Sequence, residues 1–420
     1  MSTTTPSPYD EFNHPNLAEA AFGYPAIDNH AHPLLAESHR DEYAFEGAIS
    51  EAQGKALMED SVHTLASYRA TAQLSGLLEC ENDWEDVKRA RAELPYSELC
   101  DKFMLPTGIQ CILIDDGLDG DGICEDVKWH DRFCTSPSKQ IVRIEFVAQN
   151  ILKELVPRIS SSLSLLSAFT TLFNAALAKA AHDPFVAGFK SIACYRTGLG
   201  VSPEMGSTEE VEESSKSAVK RFQETGKLRI AEKPFNDYVV RLTMEAAGKC
   251  QKPVQFHTGL GDADISLVRS SPAHLQPLIA AYPDTPIVLL HSSYPFTQEA
   301  GYLASVYHNV YLDFGEVFPF VSKEGQRTIV RQVLELCPTT KILWSTDGHF
   351  WPETYYLGTI QAREVLYEVL SECIEHGELT EQQSVTVVRR ALFDNSNALY
   401  HLGLEPDVQL GIKAAQMWRK

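Results

Sequence analysis

The residues able to do chemistry recur at one kind of place, the polar end of a short apolar run. The first run closes in Asp28-Asn29-His30-Ala31-His32. On an extended segment side chains alternate with period two, so His30 and His32 fall on one side. Lys190 lies in the run GFKSIACY, His257 closes PVQFHT, His291 closes PIVLLH and Asp347 closes KILWSTD. Imidazole and carboxylate groups converging from neighbouring strands suit a divalent transition metal such as zinc. A lone strand-end histidine is more often structural, so the combination carries the argument. His14, His39, His63, His274, His308, His376 and His401 fall in expected helices or loops and read as structural or surface residues.

Other polar residues sit nearby in the pattern. Tyr195 and Arg196 end the fourth run, and Arg196 suits a bidentate clamp on a substrate carboxylate. Its bland alternative is an ion pair with Glu145 or Asp115. Asp115 and Asp116 end the second run, and Arg143 and Glu145 lie in the third; all four read as support for the site. His349, Trp351 and Glu353 follow Asp347 in a loop that could shape a pocket. Asp28 could orient the His pair from behind, or be an ordinary polar strand end.

Eight such runs can be counted, at 25–30, 111–116, 141–146, 188–195, 253–258, 286–291, 310–315 and 341–347. Several are almost continuously apolar, as in parallel strands buried on both faces. The intervals show helical spacing, as in FTQEAGYLASVYHN, EGQRTIVRQVLELCP and TIQAREVLYEVLSECIEHG. Eight strands each followed by a helix predict an α/β fold, a (β/α)₈ TIM-like barrel whose site lies at the C-terminal ends of the strands. Residues 1–24 read as a lead-in, frayed from Ser2 to Ser7, and 25–420 as the barrel. A helical insertion at about 33–110 follows the first strand and is expected to cap the barrel beside its mouth and to set the substrate. A second stretch, about 200–228, is acidic and then basic, like a solvated helix.

Composition narrows the function. The chain has 420 residues, 44% of them hydrophobic, with 36 Lys and Arg against 57 Asp and Glu, a formal charge of −21. That field repels phosphate backbones and anionic membranes, so neither nucleic acid nor membrane is an expected partner. A small-molecule substrate is, and a homo-oligomer stays open. Nine cysteines without a C-x-x-C fit reduced thiols. The N-terminus lacks the basic and apolar regions of a signal peptide, so the expected location is cytoplasmic. There is no G-x-S-x-G and no phosphate-binding G-x-x-x-x-G-K-[ST], and neither TGLGVS nor TGLGDA completes a dinucleotide fingerprint.

The order His-x-His, Lys, His, His, Asp resembles the signature of the amidohydrolase superfamily, over about Pro25 to Leu404. The segments FKSIACYRTGL, VQFHTGLGD, LLHSSYPF and WSTDGHFWPE look like the amidohydrolase-2 type domain of FluG/nodulin-type glutamine-synthetase fusion proteins. Nothing belonging to the ligase half is implied, because the chain ends where the barrel ends. The resemblance implies a hydrolase acting on a C–N bond other than a peptide bond, with one or two Zn²⁺ ions or another divalent metal such as Mn²⁺. His30 and His32 would bind metal, His257 or His291 would add ligands, and Asp347 would both ligate and shuttle a proton. In a binuclear site Lys190 is carboxylated and bridges two ions, with His257 and His291 on the second. In a mononuclear site, the preferred reading, the ligands are His30, His32, His257 and Asp347, and His291 is the acid/base. A γ-glutamyl-type amide is the implied guess at substrate. The rivals are a non-oxidative decarboxylase on the same ligands and a non-catalytic scaffold barrel.

Overall fold

A computed structural model describes residues 9–118, 122–158 and 164–418. The Ser2 to Ser7 lead-in lies outside the described residues. Eight strands form one parallel sheet in sequential order, β1 to β8. They are β1 Ala26–Ala31, β2 Ile109–Asp115, β3 Lys139–Arg143, β4 Val186–Ser191, β5 Val254–Phe256, β6 Ile287–Leu289, β7 Val310–Asp313 and β8 Ile342–Leu343. Each lies within or overlaps one of the eight predicted runs. The edges meet through backbone bonds just past β8. Asn29 N–H donates to Trp344 O at 3.2 Å, and Asp347 N–H donates to His30 O at 3.1 Å. The result is a nearly closed (β/α)₈ barrel.

Period two separates a plug from a site. Ile27, Cys111, Leu113, Ile141, Val288 and Leu343 form an apolar cluster with Phe393, Leu399 and Tyr400. Further along the same faces stand Asp115, two beyond Leu113, and Arg143, two beyond Ile141, so the apolar plug gives way to charge toward the C-terminal ends. A larger apolar shell, including Ile112, Phe189, Phe256 and Leu312, packs the sheet against the surrounding helices.

The sequence between β1 and β2 is largely helical, with helices Leu65–Leu78, Trp84–Glu93 and Tyr96–Met104. Thr64 and Asp83 cap two of them through side-chain oxygens, as these residue types do at helix starts. This segment is fastened to the long helix Pro352–Glu375: Gln361 donates to Gln73 at 2.7 Å, and Arg69 pairs with Glu364 at 2.6 Å. A buried pair, Arg91 to Glu353 at 2.7 Å, anchors it at the mouth. Helix Pro15–Gly23 packs against Pro352–Glu375 and Glu381–Arg389. The acidic-then-basic stretch forms helix Thr208–Thr225.

Several predicted ends move. β3 stops at Arg143, and Glu145 sits in the first turn of helix Ile144–Leu155 rather than in the strand. β4 stops at Ser191, so Tyr195 and Arg196 belong to the short helical turn Ala193–Arg196. β2 ends at Asp115, and Asp116 opens a 3₁₀ turn. Apolar runs persist beyond their strands because buried mouth loops need apolar cover as well. Among the described residues no helix is long and apolar enough to cross a membrane.

Candidate metal centre

His30 lies in β1 and His32 one residue past it, and their rings meet edge to face at 4.9 Å. His257 follows β5 directly, and its ring lies 4.3 Å from that of His291. His291 is placed by a bend: His291, Ser292 and Ser293 all have positive φ, 67°, 54° and 49°. Asp347 also has positive φ, 52°. Non-glycine residues in that region are strained, and such strain collects at functional sites.

The groups converge on one carboxylate. Asp347 Oδ1 lies 3.4 Å from His30 Nε2 and 3.5 Å from His32 Nε2. Its Oδ2 lies 3.9 Å from His291 Nδ1. Lys190 Nζ lies 2.9 Å from His30 Nε2. The ligand atoms of His30, His291 and Asp347 lie within 4.8 Å of one another, as do those of His30, His32 and Asp115. Asp115, however, is held by Arg143 through bonds of 2.9 and 2.7 Å. The structure therefore gathers His30, His32, His291, Lys190 and Asp347 tightly. His257 stands at the edge, its Nε2 donating to Leu260 O at 2.6 Å and leaving Nδ1.

Backing groups fix the cluster. His32 Nδ1 donates to Asp115 O at 2.8 Å, which turns Nε2 toward Asp347. Asp28 accepts Thr346 N–H at 2.9 Å and the Thr346 hydroxyl, so it holds the turn before Asp347. Asp313 accepts from Asn29 at 2.6 Å, Gly315 N–H at 2.9 Å and Ser345 at 3.0 Å, and locks β7 to β1. Gly261 allows a close approach, because any Cβ there would collide with Tyr195 Oη and His257 Nε2.

Electrostatics favour the neutral form of His30, His257 and His291, the form that binds metal. Burial, reinforced by the Lys190 charge, lowers His257 to about 3 and holds His30 well below its ordinary value. Burial and then His257 do the same to His291. Burial also lowers Lys190 to about 8. At Asp347 burial pushes upward, but the nearby His32, 3.5 Å away, and the charge of Lys190 hold the carboxyl below its usual range. Burial, then the charge of Asp347, pushes Glu316 well up.

The donor set fits a divalent ion. His30 Nδ1, both ring nitrogens of His291, Asp347 Oδ1 and Glu316 Oε2 are buried without a hydrogen-bond partner. Unsatisfied buried polar atoms are costly, and those of His291, Asp347 and Glu316 face one another, with His291 Nδ1 3.5 Å from Glu316 and 3.9 Å from Asp347. A cavity of about 300 Å³ opens onto the cluster. Its walls include His32, Lys190, His257 and Asp347, and also Tyr195, Arg196 and His349. Trp351 and Glu353 do not line it. Trp351 packs against Phe45, and Glu353 pairs with Arg91. Arg196 makes no ion pair with Glu145 or Asp115 among the described residues. Glu145 accepts from Ser191 at 2.7 Å, and Asp115 belongs to Arg143.

Among the cavity residues without a strong sequence signal are three carboxylates, Glu316, Glu51 and Asp262. Glu316, 3.5 Å from His291 Nδ1, stands three residues past the end of β7 in VYLDFGE. Glu51 arrives from the insertion, and Asp262 from the loop after β5. Neither stands at a strand end.

A parallel (β/α)₈ barrel with histidines and an aspartate at its C-terminal mouth has the metal-dependent hydrolase fold of the amidohydrolase superfamily. The sequence profile of the family described as Amidohydrolase (Amidohydro_2) matches residues 174–402, and the chain belongs to that family. It is 46% identical over 405 residues to protein fluG of Emericella nidulans, covering 91% of this chain and 46% of that protein. The chain thus spans about half the length of that relative. A protein of Lactobacillus casei described as a metal-dependent hydrolase superposes with a TM-score of 0.78 at 25% identity, over 92% of this chain and 97% of that one. A uronate isomerase of Bacillus halodurans shares the fold, with a TM-score of 0.62 at 14% identity over 92% and 95% of the two chains.

Proposed function

We propose that the chain is an enzyme that hydrolyses an amide C–N bond of a small molecule at a single divalent ion, zinc in the first instance. The observation that carries this is the convergence of His30 Nε2, His32 Nε2 and His291 Nδ1 on the Asp347 carboxylate, with His291 Nδ1 and Asp347 Oδ1 buried without a hydrogen-bond partner. His30, His32 and Asp347 would hold the ion, one of His257 and His291 would complete the set, and the other would handle protons. When bound, such an ion supplies Lewis-acid polarisation of a carbonyl and a water of lowered pKa.

The chain's own groups do the rest. Asp347 faces three imidazoles through two oxygens, so it can accept a proton from water while staying in place. It then delivers that proton to the amide nitrogen as the carbon–nitrogen bond breaks and the new carbon–oxygen bond forms. Lys190, as the free amine, orients His30. Arg196 and Tyr195 would bind the substrate, with His349 closing the cavity on the other side. Each of the nine cysteines is free, which supports a reducing cytoplasmic setting.

The test is a substrate panel on protein of measured metal content, read for new amine and for carbon dioxide. Amine release that is lost in Asp347→Asn supports the reading. Carbon dioxide without amine would transfer the site to decarboxylation. No turnover, with cellular function unchanged in Asp347→Ala, would leave a scaffold.

A further inference from the structure

The cavity beside the histidine cluster is lined by several charged groups among apolar ones such as Leu118, Ile192 and Phe350, and some of those charges are matched internally. Arg143 is held by Asp115 at 2.7 Å and Asp264 by Arg229 at 2.6 Å, while Lys190 Nζ is hydrogen-bonded to the His30 ring at 2.9 Å. Glu316 and Asp347 face His291. Three wall residues are left over. Arg196 has no ion-pair partner among the described residues, and its Nε is buried without a hydrogen bond. Glu51 has neither an ion pair nor a hydrogen bond among the described residues. The Asp262 carboxylate accepts the Asp264 backbone N–H at 2.8 Å and makes no ion pair among the described residues.

These three are sorted by sign. The charges that bear on Arg196 are the guanidiniums Arg229 and Arg143 and the carboxylates Glu145 and Asp264, and among the described residues none of them forms an ion pair with it. Those that bear on Glu51 are His349, Asp347 and Asp262, two of them carboxylates. The cavity lining therefore offers one guanidinium and two carboxylates that lack ion-pair partners among the described residues. A volume near 300 Å³ stands at the small end of ligand pockets. Desolvated charges without partners are costly unless a ligand supplies them.

From this we infer that the substrate is a zwitterion of amino-acid size. Its carboxylate sits on Arg196, its ammonium sits against Glu51 and Asp262, and its scissile amide lies over His30, His32 and Asp347. The inference rests on the hydrolase reading for the amide and on the wall charges for the rest. It gives the insertion after β1 a role in selection, since Glu51 is the residue that this insertion contributes to the cavity wall.

The experiment is calorimetric binding to the intact chain. The probes are L-α-amino acids and their side-chain amides, each with its N-acetyl form, which lacks the ammonium, and its α-carboxamide, which lacks the carboxylate. The best free probe should lose at least about tenfold in affinity on either modification, because each leaves a charged group unpaired. Glu51→Gln should abolish most of the discrimination against the N-acetyl form and spare that against the carboxamide. Arg196→Met should do the reverse, with Arg196→Lys between them. Blocked forms that bind as well as free ones, a panel with no binder, or variants that move both discriminations together would overturn the zwitterion. Metal content and amide turnover are measured on the same samples. Loss of both with the binding pattern intact would refute the hydrolase reading alone.

Discussion

Replacing Arg91 by alanine should cost more than any surface substitution on the insertion. Arg91 Nε bonds to Glu353 Oε1 at 2.7 Å, both side chains are almost fully buried, and the guanidinium lies 4.1 Å over the Phe45 ring. Glu353 Oε2 already lacks a partner. Alanine therefore strands a buried carboxylate and removes a ring contact. Breaking a buried pair from one side costs about 3–5 kcal/mol. With about 2.1 cal/mol/K of unfolding entropy per residue, 420 residues give roughly 0.9 kcal/mol/K, so the melting midpoint should fall by about 3–6 °C for cooperative unfolding. The assay is calorimetric melting of Arg91→Ala, Glu353→Leu, and the double variant Arg91→Met with Glu353→Leu. The double variant should regain most of the loss, because neither charge is then stranded. A fall under about 1 °C for Arg91→Ala, or single-variant losses that simply add, would refute the reasoning.

Three further outcomes are expected. Asp28→Ala should leave the fold intact by circular dichroism but weaken metal binding by about tenfold to a hundredfold, since Thr346 loses its acceptor and Asp347 its fixed turn. Gly261→Val should abolish ligand binding in titration while shifting the melting midpoint little, because the new side chain meets Tyr195 and His257 at the cavity wall. Burial lowers His130 from 6.5 to about 4, so the folded chain keeps it neutral while the unfolded chain protonates it. That stability is present above about pH 6.5 and lost as pH falls toward 4, by about 3 kcal/mol at most. Urea unfolding of His130→Gln should show a correspondingly shallower loss between pH 7 and 5, and an unchanged slope would count against it.

How much of this could be read from sequence follows from geometry. Parallel strands buried on both faces leave continuous apolar runs, so PIVLLH and PVQFHT were visible with the polar residue that ends each. His30 and His32 were legible because period two survives to the end of β1. Asp347 was legible only as the end of a run, since β8 itself spans Ile342–Leu343 and the rest reaches the site by backbone bonds to β1. Glu145 was misplaced because IVRIEF stays apolar across the strand-to-helix switch at Arg143. Glu51, Asp262 and the Arg91–Glu353 pair were invisible because they depend on which loops meet in space, and no local period encodes that. Arg196 lay between these cases: its position was readable, but its lack of a partner was not.

The central claim is that the buried histidines and Asp347 hold a divalent ion. Its most direct test is elemental analysis of the chain purified without chelator or added metal, beside His30→Ala, Asp347→Asn and Lys190→Ala. The account predicts about one divalent ion per chain, lost in the first two variants and retained in Lys190→Ala. About two ions, with one lost in Lys190→Ala, would contradict the single-ion site and establish Lys190 as a bridge. No ion, and none taken up on titration with zinc or manganese, would contradict the claim itself.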